Sequence, residues 1–116
     1  MREIKFRAWN KKSCFMDSAW LIDWEHGYVC HSKHNQSDLE DCVLMQYTGL
    51  KDKNGVEIYE GDILRDHSGV GEVEWMQESC QFVIFARVPE PVYIGFESDG
   101  NLKHTEVIGN VWEDGD

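Results

Sequence analysis

The sequence predicts a mainly β fold, a small barrel or sandwich of short antiparallel strands. Three observations carry that expectation. Apolar residues alternate with polar ones over much of the chain, and in a strand successive side chains point to opposite faces. Gly, Asn and Asp cluster at intervals of about ten residues, the spacing of turns between short strands. No long stretch shows the 3.6-residue period of a helix.

Taken in order, REIKFRAW sends Ile4, Phe6 and Ala8 one way and Glu3, Lys5 and Arg7 the other, as in a half-buried strand. CFMDSAWLIDW, from Cys14 to Trp24, is strongly apolar but broken by Asp17 and Asp23, and reads as a strand with a bulge. GYVCH, 27–31, is a further short strand. SKHNQSDLED, 32–41, is polar throughout and reads as a surface loop or one short helix capped by Ser37. VLMQYTGL has β-rich composition, and KDKNG after it supplies turn chemistry. Asp52 and Asn54 tolerate unusual backbone angles there, and Gly55 accepts positive φ.

DILRD, 62–66, is the next strand, followed by a turn around Ser68–Gly71. EVEWM alternates, with Val73 and Trp75 inward and Glu72 and Glu74 outward. QFVIFARV, 81–88, is the most apolar segment and is expected to be a central strand. Pro89 and Pro91 close it, because proline donates no ladder hydrogen bond. VYIGF is a strand, ESDGN a turn and EVIGNVW the closing strand. Gly95 and Gly109 within strands mark bulges or close backbone approaches.

The segment YEGDIL resembles the opening strand of SH3-like barrels. Gly61 permits a tight bend, Asp62 accepts backbone N–H groups across it, and Ile63 and Leu64 begin the buried strand. Tyr47 and Tyr59 flank the KDKNG turn, and stacking across it would add about 0.5–1.5 kcal/mol beyond burial. A structural clasp is the preferred reading over an aromatic groove for a peptide or a base. The fold expectation is therefore a small single domain, 1–116, with an SH3-like or related barrel and coiled antiparallel sheets.

The chain has 116 residues, 41% of them apolar and 12% aromatic, enough for one domain with a sizeable core and outside the disordered range. No apolar run is long enough to span a membrane, and MREIKFRAWN alternates where a secretory signal would be continuously apolar. A cytoplasmic protein is expected. The four cysteines, Cys14, Cys30, Cys42 and Cys80, are then expected to be reduced and mostly buried.

The net charge of −11 is unevenly spread. Residues 1–58 hold eight Lys/Arg against nine Asp/Glu, and residues 59–116 three against thirteen. Such an acidic half repels phosphate and favours basic partners. The alternative is a solvated surface with no partner.

Candidate chemistry is sparse. Cys30, His31, His34 and Cys42 are all zinc-ligand types within CHSKHNQSDLEDC, yet no C-x2-C or H-x3-H pair occurs, and adjacent strand residues face opposite ways. A buried Cys30 beside exposed histidines is the preferred account, and no metal or other cofactor is assigned. DHSG, 66–69, sets Asp66, His67 and Ser68 side by side in a turn, where they do not converge on one substrate atom. The carboxylates of Glu72 and Glu74, and of Asp38, Glu40 and Asp41, look solvated and unsuited to acid–base work. There is no Gly-rich phosphate loop. A catalytic centre is not expected.

Trp9, Trp20, Trp24, Trp75 and Trp112 have the chemistry of stacking faces for nucleic acid, but such modules pair aromatics with a basic groove. A β protein of this size also needs Trp for its core, so direct nucleic-acid binding is disfavoured. Mimicry of DNA by the acidic half, directed at a basic host protein, is the inverse reading. Self-association is another, since a basic first strand and an acidic second half attract across subunits. Arg2, Lys5 and Arg7 on one side, and Glu72 and Glu74 on the other, are the candidate interaction surface.

Three segments, MREIKFRAWN, LMQYTGLKDKNGVEIYEGDIL and VIGNVWED, resemble the signature segments of YopX-like proteins, small proteins carried by bacteriophages and prophages. The resemblance runs from end to end, although residues 14–44 and 76–100 carry no signature. It implies a mostly β fold and a phage or prophage source, and it carries over no catalytic residue. The expectation that follows is a non-catalytic accessory protein of the bacterial host cytoplasm. It would act by protein–protein interaction or homo-oligomerisation, with a nucleic-acid-linked or metal-binding module as the alternative.

Overall fold

The computed structural model describes residues 3–31, 35–66, 69–86, 92–95 and 104–113. It is mainly β, with every strand pairing antiparallel and no α-helix among the described residues. This is the expected class. Two compact units divide the chain, Met1–Tyr47 and Thr48–Asp116.

In the first unit, β1 (Phe6–Asn10) pairs on one side with β2 (Phe15–Ala19) and on the other with the start of β6 (Cys42–Lys51). A separate three-stranded sheet has the order β3 (Leu21–Asp23), β4 (Tyr28–Cys30), β5 (Gln36–Asp38). A single 3-10 turn, Leu39–Asp41, leads into β6. Ala8, Trp9, Val29, Met45 and Tyr47 are buried here.

Several expectations are corrected in this unit. Ile4 precedes β1 and is exposed, so the inward series begins only at Phe6. The Cys14–Trp24 segment is two strands parted at Trp20, where a bulged single strand was expected. The polar 32–41 segment contributes β5, and the 3-10 turn after it has Asp38 as its N-cap residue, with no side-chain cap bond. Ser37 lies inside β5 because its hydroxyl has a tertiary partner, Asn10 Nδ2 at 2.9 Å, that a cap would forgo.

In the second unit, β6 runs on to Lys51, and the expected KDKNG turn joins it to β7 (Glu57–Tyr59). Thr48 Oγ1 donates to Ile58 O at 2.8 Å across this hairpin. Gly55 takes the positive φ, 82°, that the sequence assigned to it. Gly61, at φ 85°, bends the chain into β8 (Asp62–Asp66), and Asp62 Oδ2 accepts the Tyr59 N–H at 2.8 Å, as expected of YEGDIL.

β8 is one of five strands in the order β11 (Val92–Gly95), β10 (Gln81–Ala86), β9 (Gly69–Met76), β8, β12 (Glu106–Asn110). β10 lies inside this sheet, as its apolar run predicted. The expected turn around Ser68–Gly71 is corrected in part: Gly69, Val70 and Gly71 already pair with β8 as the start of β9, and His67 and Ser68 lie outside the described residues. The ESDGN turn also lies outside them. The β12 register shifts between Val107 and Gly109, the bulge that Gly109 signalled.

Ile58, Leu64 and Val73 form the core cluster of this unit, with Leu50, Phe82, Ile84 and Val107 packed against it. Each fully buried aliphatic side chain contributes about 1.5–3 kcal/mol relative to exposure. Val73 and Trp75 share the inward face of β9, but Trp75 lies near the strand end, edge-on to Phe82 with ring centroids 5.0 Å apart, and remains exposed.

Candidate interaction surface

The residues singled out for interaction fall in both units. Arg2 lies outside the described residues. Lys5 is half-buried, with Nζ 3.4 Å from Glu3 Oε1 and 5.4 Å from the centre of the Tyr47 ring. Arg7 is half-buried in β1, opposite Ser18 on one side and Met45 on the other. Glu72 and Glu74 share one face of β9, but they are half-buried where full solvation was expected. The cause is their mid-sheet position: Ile63 and Phe85 oppose Glu72, and Val83 opposes Glu74. Lys5, Arg7, Glu72 and Glu74 are thus each only partly exposed.

The cysteines are all free thiols, but Cys14 and Cys80 are exposed, and Cys30 and Cys42 are only partly covered. This corrects the expectation of burial. Cys14 and Cys80 end the turns that precede β2 and β10, and both hold a left-handed backbone, φ 54° and 51°. Their thiols face the carbonyls three residues back, Lys11 O at 4.0 Å and Gln77 O at 3.5 Å. Turn position, rather than compartment, sets their exposure.

His31 is also placed differently from expectation. It is buried, 5% exposed, with its ring edge-on to Phe15 at 5.2 Å and Nε2 2.9 Å from Ser37 Oγ. Asn10 Nδ2 donates to the same hydroxyl. Burial pushes the Cys42 thiol up from its ordinary pKa, partly offset by a hydrogen bond from Ser37. Asn10, His31, Ser37 and Cys42 thus form a polar network that links β1, β5, β6 and the residue after β4. Among the described residues no three His, Cys, Asp or Glu side chains come together to hold a metal ion, and His34 lies outside those residues.

The tryptophans give the largest departure. Only Trp9 is buried, at 9% exposure; Trp20 is 61% exposed, Trp24 70%, and Trp75 and Trp112 are exposed too. Core demand therefore explains one Trp in five. Trp20 and Trp24 bracket β3, the end strand of its sheet. Three residues lie between them, so their Cα atoms are four steps apart, a span of at most about 14 Å.

Local chemistry fixes the Trp24 end. The turn from β3 to β4 is closed by Gly27 N–H donating to Asp23 O at 2.9 Å, with Gly27 at φ 73°. Asp23 Oδ1 accepts the His26 backbone N–H and Oδ2 meets His26 Nδ1, each at 2.9 Å. The His26 backbone N–H, with help from the ring, holds the Asp23 carboxyl below the usual carboxylate pKa. Leu39 N–H donates to Gly27 O at 2.8 Å and ties the turn to the 3-10 segment. Trp24 and Glu25 are therefore carried on a turn held at both ends. The Asp-x-x-His-Gly pattern, 23–27, is the sequence signal that would have placed Trp24 at a turn rather than in the core.

No helix among the described residues is long and apolar enough to cross a membrane. No curated protein matches the chain. A crystal structure of protein EF1440 from Enterococcus faecalis is similar, at 26% identity and a TM-score of 0.68, over 98% of this chain and 96% of that one. The family model described as YopX protein matches residues 5–116. With that match spanning nearly the whole chain, this protein belongs to the YopX protein family.

Proposed function

We propose that this protein is a non-catalytic accessory protein of a phage or prophage, acting in the host cytoplasm through protein–protein contacts. The observation that carries the reading is the pair Trp20 and Trp24, both more than half exposed at the ends of an end strand. Large exposed aromatics are costly in water and are enriched where proteins meet. A strand at a sheet end adds backbone groups suited to pairing with a partner strand.

Affinity capture from lysogenic or infected cells, followed by mass spectrometry, tests this reading. A partner protein retained by the wild type and lost by Trp20→Ala/Trp24→Ala is the expected result. Light scattering over a salt series covers a partner that is a second copy. A chain that captures nothing and stays monomeric at every salt concentration contradicts the proposal.

A further inference from the structure

Resting on that reading, we infer that the Trp20–Trp24 surface takes a cationic extended segment of another protein, with Arg or Lys side chains laid on the two indoles. Three observations carry this. First, the indoles are the most exposed of the five, and an indole face is the best side-chain platform for a cation. Second, the surroundings are acidic: from Ser13 to Ser32 the chain has Asp17, Asp23 and Glu25 and no Lys or Arg. Glu25 is exposed next to Trp24, whereas Asp23 is already engaged with His26. Third, β3 ends its sheet, so a segment laid alongside it is extended.

Spacing agrees with that occupant. Side chains on one face of an extended segment recur about every 7 Å, so residues i and i+4 lie about 13 Å apart. Trp20 and Trp24 stand four positions apart, one on each side of β3, so their Cα atoms are at most about 14 Å apart. The turn that carries Trp24 is tied by Asp23, Gly27 and Leu39, so little ordering is needed on binding. A net charge of −11 also steers a basic partner inward and, at long range, opposes the approach of a second copy, whose basic first strand can attract only on contact. That charge favours a foreign partner over a second copy, and the same carboxylates disfavour a nucleic acid.

Isothermal titration calorimetry tests the assignment with a synthetic peptide of alternating Arg and Val and a twin carrying Gln at every Arg. The Arg peptide is expected to bind, with the Gln twin at least tenfold weaker. Trp20→Ala and Trp24→Ala are each expected to weaken the Arg peptide at least tenfold, Glu25→Gln several-fold, and Trp112→Ala not at all. Circular dichroism of each variant checks that it is folded, and Trp24→Phe, which keeps a ring, retains part of the affinity. Equal binding of the two peptides, or binding unchanged in both Trp variants, overturns the assignment. So does a wild-type oligomer dissolved by Trp24→Ala, which names a second copy as occupant and leaves the protein–protein reading standing. Absence of any peptide binding, with a protein captured from cells through the same two tryptophans, likewise rejects the cationic segment and keeps the broader reading.

Discussion

Asp52 Oδ2 accepts the backbone N–H of Val107 at 2.9 Å, joining the turn after β6 to β12 across 55 residues of sequence. The other oxygen, Oδ1, accepts the N–H groups of Asn54 and Val56 at 2.8 and 2.9 Å, and Lys53 N–H donates to Thr105 O beside them. One buried carboxylate thus shapes a local turn and secures a distant strand. Burial pushes its pKa up, but the three backbone N–H bonds outweigh burial and hold it below the usual carboxylate value.

Asp52→Ala is expected to destabilise the protein by about 2–4 kcal/mol, because it leaves three backbone donors unpaired. Urea denaturation measures the loss. The folded pKa lies below the unfolded one, so the stabilisation is full above the unfolded value near 4 and is lost as pH falls through the folded value. Wild type and Asp52→Ala should differ most at neutral pH and converge in acid. A gap that does not narrow on acidification contradicts the role of the carboxylate.

Gly71 is a packing prediction. A Cβ there would collide with Ile84 Cγ2 and lie 3.1 Å from Phe85 O. Gly71→Ala should therefore cost about 1–3 kcal/mol. Ile84→Ala removes the colliding atom, so in the double variant the two penalties should sum to less than their separate values. Strict additivity in thermal melts would place the strain elsewhere.

Cys14 and Cys80 hold left-handed backbones at exposed turn ends, where a side chain is strained and glycine is not. Cys14→Gly and Cys80→Gly are each expected to raise stability by up to about 1 kcal/mol in urea denaturation. A loss in either variant shows that the thiol contact with the carbonyl three residues back outweighs the strain.

The tryptophans divide by burial. Trp9→Ala should cost about 3–5 kcal/mol, and Trp24→Ala should change stability by less than about 0.5 kcal/mol. Denaturation curves separate the two cases directly. A comparable loss from both would mean that Trp24 packs in solution.

Much of the fold was legible because its signals are local. DILRD is β8 from end to end, KDKNG and YEGDIL turn where Gly55 and Gly61 allow positive φ, and Gly109 marks the β12 bulge. What escaped depends on lateral position, which alternation does not encode. Period two assigns Trp75 to the inward face but not to the end of its strand, and it assigns Glu72 outward without revealing that Ile63 and Phe85 flank it. Polar QSD became a strand because Ser37 finds Asn10, a partner 27 residues away. Composition says that a small β protein needs Trp for its core but not which ones, and Trp20 and Trp24, flanking a strand at the end of its sheet, are exposed.

Hydrogen–deuterium exchange with and without the Arg–Val peptide tests the central claim most directly, because it locates the bound segment along the chain. Slowed exchange confined to residues 20–27 is the predicted result. Protection confined to β9 around Glu72 and Glu74, or none at saturating peptide, would contradict it.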